Sequence, residues 1–151
     1  MPIISPQDRQ ALQERFRKEL KRKVILRLFT QTAGPLVIPG RECPTCPQTR
    51  QILEELTSIS PMLELEAIDF FNQAQKARDS GVERIPAIVM GKGENGSNVK
   101  YYGMPSGYEF VTLIEDVIAL SRPRSTLSAD TRKRLKLVDQ DVHIQVFVTP
   151  T

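Results

Sequence analysis

The 151-residue sequence predicts an α/β domain whose sheet has one parallel and one antiparallel side. Strand-like and helix-like segments alternate through its first half, and this order brings strands into parallel pairing. Asn95-Gly96 separates the last two strand-like segments, and this dipeptide favours a tight hairpin turn. Two cysteines three residues apart, Cys43 and Cys46, lie where a strand gives way to a helix.

The composition is that of a globular protein, with 40% apolar and 26% charged residues. It excludes collagen-like, disordered and disulfide-dense classes, and a chain of this length can bury a core. The net charge of +3 is spread over mixed signs, so it does not indicate nucleic acid binding. The longest apolar runs are too short to cross a bilayer, and the N-terminus lacks the pattern of a signal peptide. We therefore expect a cytoplasmic protein that does not bind membranes.

The front of the chain predicts a helix, a strand and a second helix. Ser5 can cap the first helix and Asp8 favours the positive end of its dipole, so we expect this helix to run to about residue 21. A buried strand at 24–29 follows, and helical spacing continues from Cys46 to Ser60-Pro61. The further predicted elements are a strand at 63–70, a short helix capped by Asn72, strands at 86–90 and 98–102, and a helix begun by a capping box of Ser106 and Glu109.

The character of the chain changes after Arg122-Pro123. Residues 125–138 predict a basic helix, and residues 142–149 alternate as in a fifth strand, with His143 facing solvent. A solvated helix face explains the basic run better than a nucleic-acid surface does, because acidic residues flank it. The apolar positions of the helix are Leu127, Leu135 and Val138, and those of the strand are Val142, Ile144, Val146 and Val148.

The C-x-x-C motif predicts redox chemistry. Its spacing puts Cys43 and Cys46 about one helical turn apart, close enough for a disulfide. A helix N-terminus favours thiolate over thiol, and the thiolate is the nucleophile. Cys43 would attack a substrate disulfide, and Cys46 would then resolve the mixed disulfide. The pair carries two electrons itself, so no cofactor is required.

Two other interpretations of the motif remain open. A C-x-x-C can be half of a zinc site, but this chain offers only one histidine, His143, about a hundred residues away. A metal or cluster shared between subunits would supply the missing ligands. The two cysteines could also be an inert pair in a binding module, a reading that the long segment at 31–42 favours.

The motif and Ile85-Pro86-Ala87, about forty residues later, resemble the thioredoxin/glutaredoxin superfamily. In that superfamily a cis-proline lies opposite the cysteine pair, and Pro86 matches it. The segments at 101–118 and 138–151 are similar to the protein disulfide oxidoreductases of thermophiles, glutaredoxin-like proteins with two thioredoxin-fold units in tandem. The similarity covers nearly the whole chain. It implies a thioredoxin-like βαβαββα fold with an extra N-terminal helix at 1–121, followed at 122–151 by a linker helix and the isolated first strand of a truncated second unit.

The resemblance also implies an activity and its residues. The expected function is thiol–disulfide oxidoreduction of protein disulfides and dithiols, with Cys43 and Cys46 as the catalytic residues. The partners it implies are a thioredoxin-reductase-like flavoprotein or a peroxiredoxin, and the unpaired final strand predicts self-association or docking on the first unit. The expected substrate-binding residues are Ile85, Pro86, Pro44 and Thr45.

Two features depart from the family pattern. The segment at 31–42 looks longer than the usual approach to the first cysteine, and we interpret it as an inert surface insertion. The strand before the motif carries Arg27 where thioredoxins use a buried carboxylate to move the proton of the second cysteine. The candidate acceptors by proximity in the predicted fold are Glu54, Glu55 and Asp69.

Overall fold

The computed structural model describes residues 1–32, 39–91 and 99–148. Helices and strands follow the predicted order up to Ser121, with boundaries that agree within a few residues. The Asn95-Gly96 turn and part of the 31–42 segment lie outside the described residues. Within the described part of the chain, no helix has the length and apolar character needed to cross a membrane. The elements are α1 (Pro6–Glu19), β1 (Val24–Thr30), α2 (Cys46–Thr57), β2 (Leu63–Asp69), α3 (Ala74–Asp79), β3 (Ala87–Gly91), β4 (Val99–Tyr102), α4 (Tyr108–Ser121) and α5 (Ala129–Leu135).

Four strands form one mixed sheet in the order β2-β1-β3-β4. β1 pairs in parallel with β2 and antiparallel with β3, and β3 pairs antiparallel with β4. The parallel pair is joined through α2, as a parallel crossover requires. The predicted thioredoxin-like βαβαββα arrangement is therefore confirmed.

Each face of the sheet carries its own apolar cluster. The larger cluster packs α1, α2 and α4 onto one face. The smaller cluster lies on the other face, under α3. The larger cluster includes Phe16, Leu53, Leu56, Leu113 and Val117, all at most 1% exposed.

The extra N-terminal helix is tied to the helix that begins with Cys46. Ser5 caps α1 as predicted, because its side chain accepts the N–H of Asp8. Just before the cap, the Glu55 carboxylate on α2 accepts the N–H groups of Ile3 at 2.9 Å and Ile4 at 2.8 Å. These donors hold the pKa of Glu55 below its usual value.

Two predicted caps are wrong. The short third helix begins at Ala74, after Gln73, and Asn72 instead gives its N–H to the carboxylate of Asp69. No capping box forms at the start of α4, because Gly107 occupies the cap position with φ of 55° and delays the helix by one residue. A positive φ of this kind favours glycine, so the chain turns there without a side-chain cap.

The C-terminal predictions need larger corrections. The basic helix is shorter than predicted, from Ala129 to Leu135, and its apolar positions are all about half exposed. Residues 142–148 form no strand and do not dock on the sheet, and their apolar side chains are 67–89% exposed. The alternation is intrinsic to the sequence, but a strand needs a neighbour to pair its N–H and C=O groups, and none of the described strands lies beside it. His143 is exposed, as predicted.

A matched pair of leucine substitutions tests where the core lies. Leu53→Ala empties a fully buried position on α2 and should lower the free energy of unfolding by about 2–5 kcal/mol. Leu135→Ala makes the same chemical change on α5, where the side chain is 54% exposed, and should cost less than about 0.5 kcal/mol. Urea unfolding followed by circular dichroism measures both. Equal losses would contradict the separation of α5 from the core.

Candidate active site

The two cysteines form a disulfide across the start of α2. Their Cα atoms are 5.4 Å apart, and the N–H of Cys46 bonds the carbonyl of Cys43 at 3.2 Å. Cys43 is half-buried at the open end, while Cys46, the first residue of the helix, is only 1% exposed. The predicted disulfide spacing is therefore confirmed, and Cys43 is more exposed to solvent than Cys46.

The first turn of α2 is arranged to favour a negative charge. Thr45 occupies the cap position, but its side chain does not cap the helix, and the first turn carries no acidic residue. Thr49 is fully buried and bonds the carbonyl of Thr45 through both its N–H, at 2.9 Å, and its hydroxyl, at 2.8 Å. These bonds hold the turn that carries the motif, and the open N-terminal N–H groups favour thiolate at the sulfurs.

The sheet brings Ile85-Pro86 to the same edge as the cysteines. Phe29, near the end of β1, pairs with Ala87, the first residue of β3. The chain that leaves β1 reaches Cys43, and the chain that enters β3 comes from Pro86, so both lie at this edge. The Ile85-Pro86 peptide bond is cis, as the resemblance implied. Pro86 is buried and Ile85 is half-buried, whereas Pro44 is exposed and Thr45 is half-buried.

Asp69 organises the same edge at the end of β2. One of its oxygens accepts the N–H groups of Phe71 at 3.0 Å and Asn72 at 2.8 Å. The other accepts the N–H of Thr32, on the segment that leads towards the cysteines, at 3.0 Å. Burial alone would raise the pKa of Asp69, but these donors outweigh it and lower the pKa. The residue ties the approach to Cys43 to the end of β2.

The three carboxylates considered as proton acceptors for Cys46 are engaged elsewhere. Glu54 pairs with Arg50 at 2.7 Å on the exposed side of α2, and Glu55 binds the N-terminal segment. Asp69 is held by its backbone donors. Arg27, in the middle of β1, pairs with Glu66 of β2 at 2.9 Å. Among the described residues, no group of three or more histidine, cysteine or acidic side chains could hold a metal ion.

Sequence reasoning missed two arginine–aromatic pairs that flank the site. The guanidinium of Arg41, two residues before Cys43, lies over the ring of Phe71, 5.0 Å from its centre. The guanidinium of Arg84 lies 4.4 Å from the centre of the Tyr102 ring. Arg84 stands two residues before Pro86, and this closeness is the only feature of the sequence that could have identified Arg84 as a residue near the site.

The fold and the site together define a thioredoxin-fold protein with a C-x-x-C disulfide at a helix N-terminus. No family model matches the sequence. A thioredoxin of Methanocaldococcus jannaschii is 32% identical over 94 residues, which are 62% of this chain and 94% of that protein. The chain belongs to the thioredoxin family.

Two solved structures share the fold over most of this chain. A protein disulfide oxidoreductase from Aeropyrum pernix superposes with a TM-score of 0.72 at 24% identity, covering 89% of this chain and 55% of that one. The NTD_N/C domain of the alkylhydroperoxide reductase AhpF from Enterococcus faecalis gives 0.71 at 24% identity, covering 87% and 59%. This chain therefore spans little more than half the length of either. The family and the cysteine pair support a thiol–disulfide oxidoreductase at this general level.

The role of Asp69 predicts a pH-dependent loss of stability. Its pKa is lowered by folding, so the carboxylate stabilises the fold above the unfolded pKa of about 3.9, and this contribution is lost as the pH falls through the folded value. Asp69→Asn should lower the free energy of unfolding by about 1–2 kcal/mol at pH 7, with a gap to the unmodified protein that narrows below pH 4. Urea unfolding across this pH range measures it.

Glu54→Gln is the matched control for this prediction. It makes the same change from acid to amide in an exposed pair on α2, and should cost less than about 0.5 kcal/mol. A loss from Asp69→Asn that does not change with pH, or that equals the control, would contradict the role given to Asp69.

Proposed function

We propose that the chain reduces, forms or exchanges protein disulfides, with Cys43 as the nucleophile and Cys46 as the resolving cysteine. The observation that carries this proposal is the disulfide at the start of α2, in which one sulfur is accessible and the other is buried. An accessible sulfur can meet a substrate disulfide. A buried sulfur one turn away can attack only the bond that its neighbour has formed.

The reductive direction balances in two exchange steps. The Cys43 thiolate attacks one sulfur of the substrate disulfide, and the other substrate sulfur leaves with the electron pair as a thiolate. The Cys46 thiolate then attacks the Cys43 sulfur, which releases the second substrate sulfur and forms the Cys43–Cys46 disulfide. The substrate gains two electrons and two protons, and the protein dithiol loses them. Oxidation of a dithiol runs the same steps backwards.

We assign substrate contact to the residues around the pair. Pro44 and Thr45 lie between the two cysteines, and the exposure of Pro44 supports direct contact with a bound chain. Among the described residues, no backbone hydrogen bond involves Ile85, which leaves its N–H and C=O to pair with an extended substrate. Pro86, the residue after Ile85, is buried. It would form a wall of the site and would not lie over the substrate.

A second function is a redox-weak binding unit that supports another active unit. The exposed apolar side chains at 142–148 favour this alternative, because they lack cover in the described part of the chain. Within either function, we propose that residues 122–151 begin a second unit and that the exposed segment promotes self-association of this chain. We also propose that the redox partner is a flavoprotein reductase or a peroxiredoxin, and that the protein is cytoplasmic.

Single-cysteine variants separate the oxidoreductase from the binding unit. Cys46→Ser should accumulate a mixed disulfide with a substrate protein, because Cys43 can attack but the bond cannot be resolved. Cys43→Ser should form none, since the remaining sulfur is buried. Non-reducing electrophoresis after incubation with reduced variant and disulfide-bonded insulin measures the adduct, and mass spectrometry identifies the cysteine that carries it.

The double variant Cys43→Ser/Cys46→Ser controls for trapping by other means, because the chain contains no further cysteine. Normal turnover by Cys46→Ser would refute the resolving role. Trapping through Cys46 in place of Cys43 would reverse the two assignments.

A further inference from the structure

Two fixed arginines flank the site on opposite sides. The Arg41 guanidinium lies over Phe71, just after β2, and that of Arg84 lies over Tyr102, at the end of β4. Both distances are within the roughly 6 Å over which a cation is attracted to an aromatic face. Each ring therefore restrains a charge that would otherwise move freely with its side chain.

The sheet order sets the separation of the two rings. β2 and β4 are the outer strands, and β1 and β3 lie between them. Neighbouring strands are about 4.8 Å apart, so the outer strands are separated by about 14 Å. Arg41 stands two residues before Cys43, and Arg84 stands two residues before Pro86.

A second cation accompanies each arginine. Arg78 lines a shallow cavity of about 310 Å³ together with Arg41 and Phe71. The Lys100 ammonium lies against Gly81, close enough that a Cβ on Gly81 would be 2.7 Å from it. The Tyr102 hydroxyl bonds the carbonyl of Gly81 at 3.4 Å, which links this lysine to the second pair. We call Arg41, Arg78, Arg84 and Lys100 the cationic rim.

The charges of the rim are not neutralised by direct ion pairs. Within the described residues, none of its four members has a carboxylate oxygen within 4.0 Å. Glu42 and Glu83 are the exposed acidic neighbours of Arg41 and Arg84 in sequence, and they reduce the local charge without pairing with it. The side chain of Arg78 is hydrogen-bonded to the neutral amide of Gln75. Asp79 is likewise the exposed acidic neighbour of Arg78, so the four cations of the rim and their three acidic neighbours together carry a net charge of +1.

We propose that the cationic rim selects substrates in which acidic residues lie on both sides of the reactive cysteine. An extended chain advances about 3.3 Å per residue, so about four residues cover the roughly 14 Å between the outer strands β2 and β4. Acidic side chains two positions before and two positions after the substrate cysteine meet this spacing. The charges would speed the encounter and fix the direction of the bound chain. This inference rests on the proposed function, because it names the substrate class of the same site.

Three matched peptides test the inference. Each carries one central cysteine as a mixed disulfide with thionitrobenzoate, and glutamate, glutamine or lysine at positions two before and two after it. The Cys43 thiolate of the reduced protein attacks the peptide sulfur, and coloured thionitrobenzoate leaves with the electron pair. Cys46 then releases the peptide thiol and closes the protein disulfide. The reduced protein is used in excess over each peptide, and the absorbance of the released thionitrobenzoate gives the second-order rate constant of this single turnover.

The glutamate peptide should react about fivefold faster than the glutamine peptide at low salt, and the lysine peptide should be slower than both. Salt of about 0.5 M should remove most of the difference, because it screens exposed charges. Arg41→Gln/Arg84→Gln should abolish the preference, so that the glutamate and glutamine peptides react with this variant at rates within about twofold of each other. Arg132→Gln removes one charge from exposed α5 and should keep the preference.

The outcomes separate the two proposals. Equal rates on the three peptides, or a preference that survives in the double variant, would overturn the role of the rim while leaving the redox function intact. Failure to release thionitrobenzoate from any peptide would overturn the redox function itself. Thermal melting of the double variant by circular dichroism checks that it folds, as expected for two exposed side chains.

Discussion

Strand β1 is bonded on both sides, and the position of every functional group depends on its two registers. The parallel register with β2 runs from Val24 opposite Leu63 to Thr30 opposite Asp69. The antiparallel register with β3 sets Phe29 opposite Ala87. A shift of one residue in either register would turn the buried side chains of the strand to the wrong face, so burial fixes both. Ile85-Pro86 therefore lies at the edge of the sheet where β1 ends.

The chemistry at that edge depends on the different exposure of the two cysteine side chains, Cys43 and Cys46. Both cysteines belong to one turn, yet one is accessible and the other is covered because it opens a helix packed on the sheet. Buried Thr49 secures the turn through two bonds to one carbonyl, and Asp69 ties the preceding segment to β2. Hydrogen bonds between side chains and the backbone thus hold the turn of the sulfurs and the segment before it. The two arginine–aromatic pairs stand close in sequence to Cys43 and Pro86.

Local signals in the sequence predicted the elements and the cysteine pair. The strand at 24–30 was predictable because its residues are apolar and favour strands, and α2 because its apolar residues recur at helical spacing. The cap at Asn72 was predicted wrongly because the Asp69 carboxylate binds the N–H of Asn72 in the turn after β2, and the helix begins only after Gln73. The prediction of a strand at 142–149 was wrong over 142–148, because alternation is a local property of the sequence whereas a strand requires a partner to pair with. The contact between Arg84 and Tyr102 could not be predicted from local sequence, because only the pairing of β3 with β4 brings the two residues together.

The central claim is that Cys43 and Cys46 act as one two-electron couple. The direct measurement is a redox titration in dithiothreitol or glutathione buffers, with free thiols alkylated and counted by mass spectrometry. The account predicts that both cysteines become labelled together over one transition, and the midpoint will show whether the protein reduces or oxidises its partners. Separate transitions for the two cysteines, or thiols that form no disulfide until a chelator is added, would contradict it.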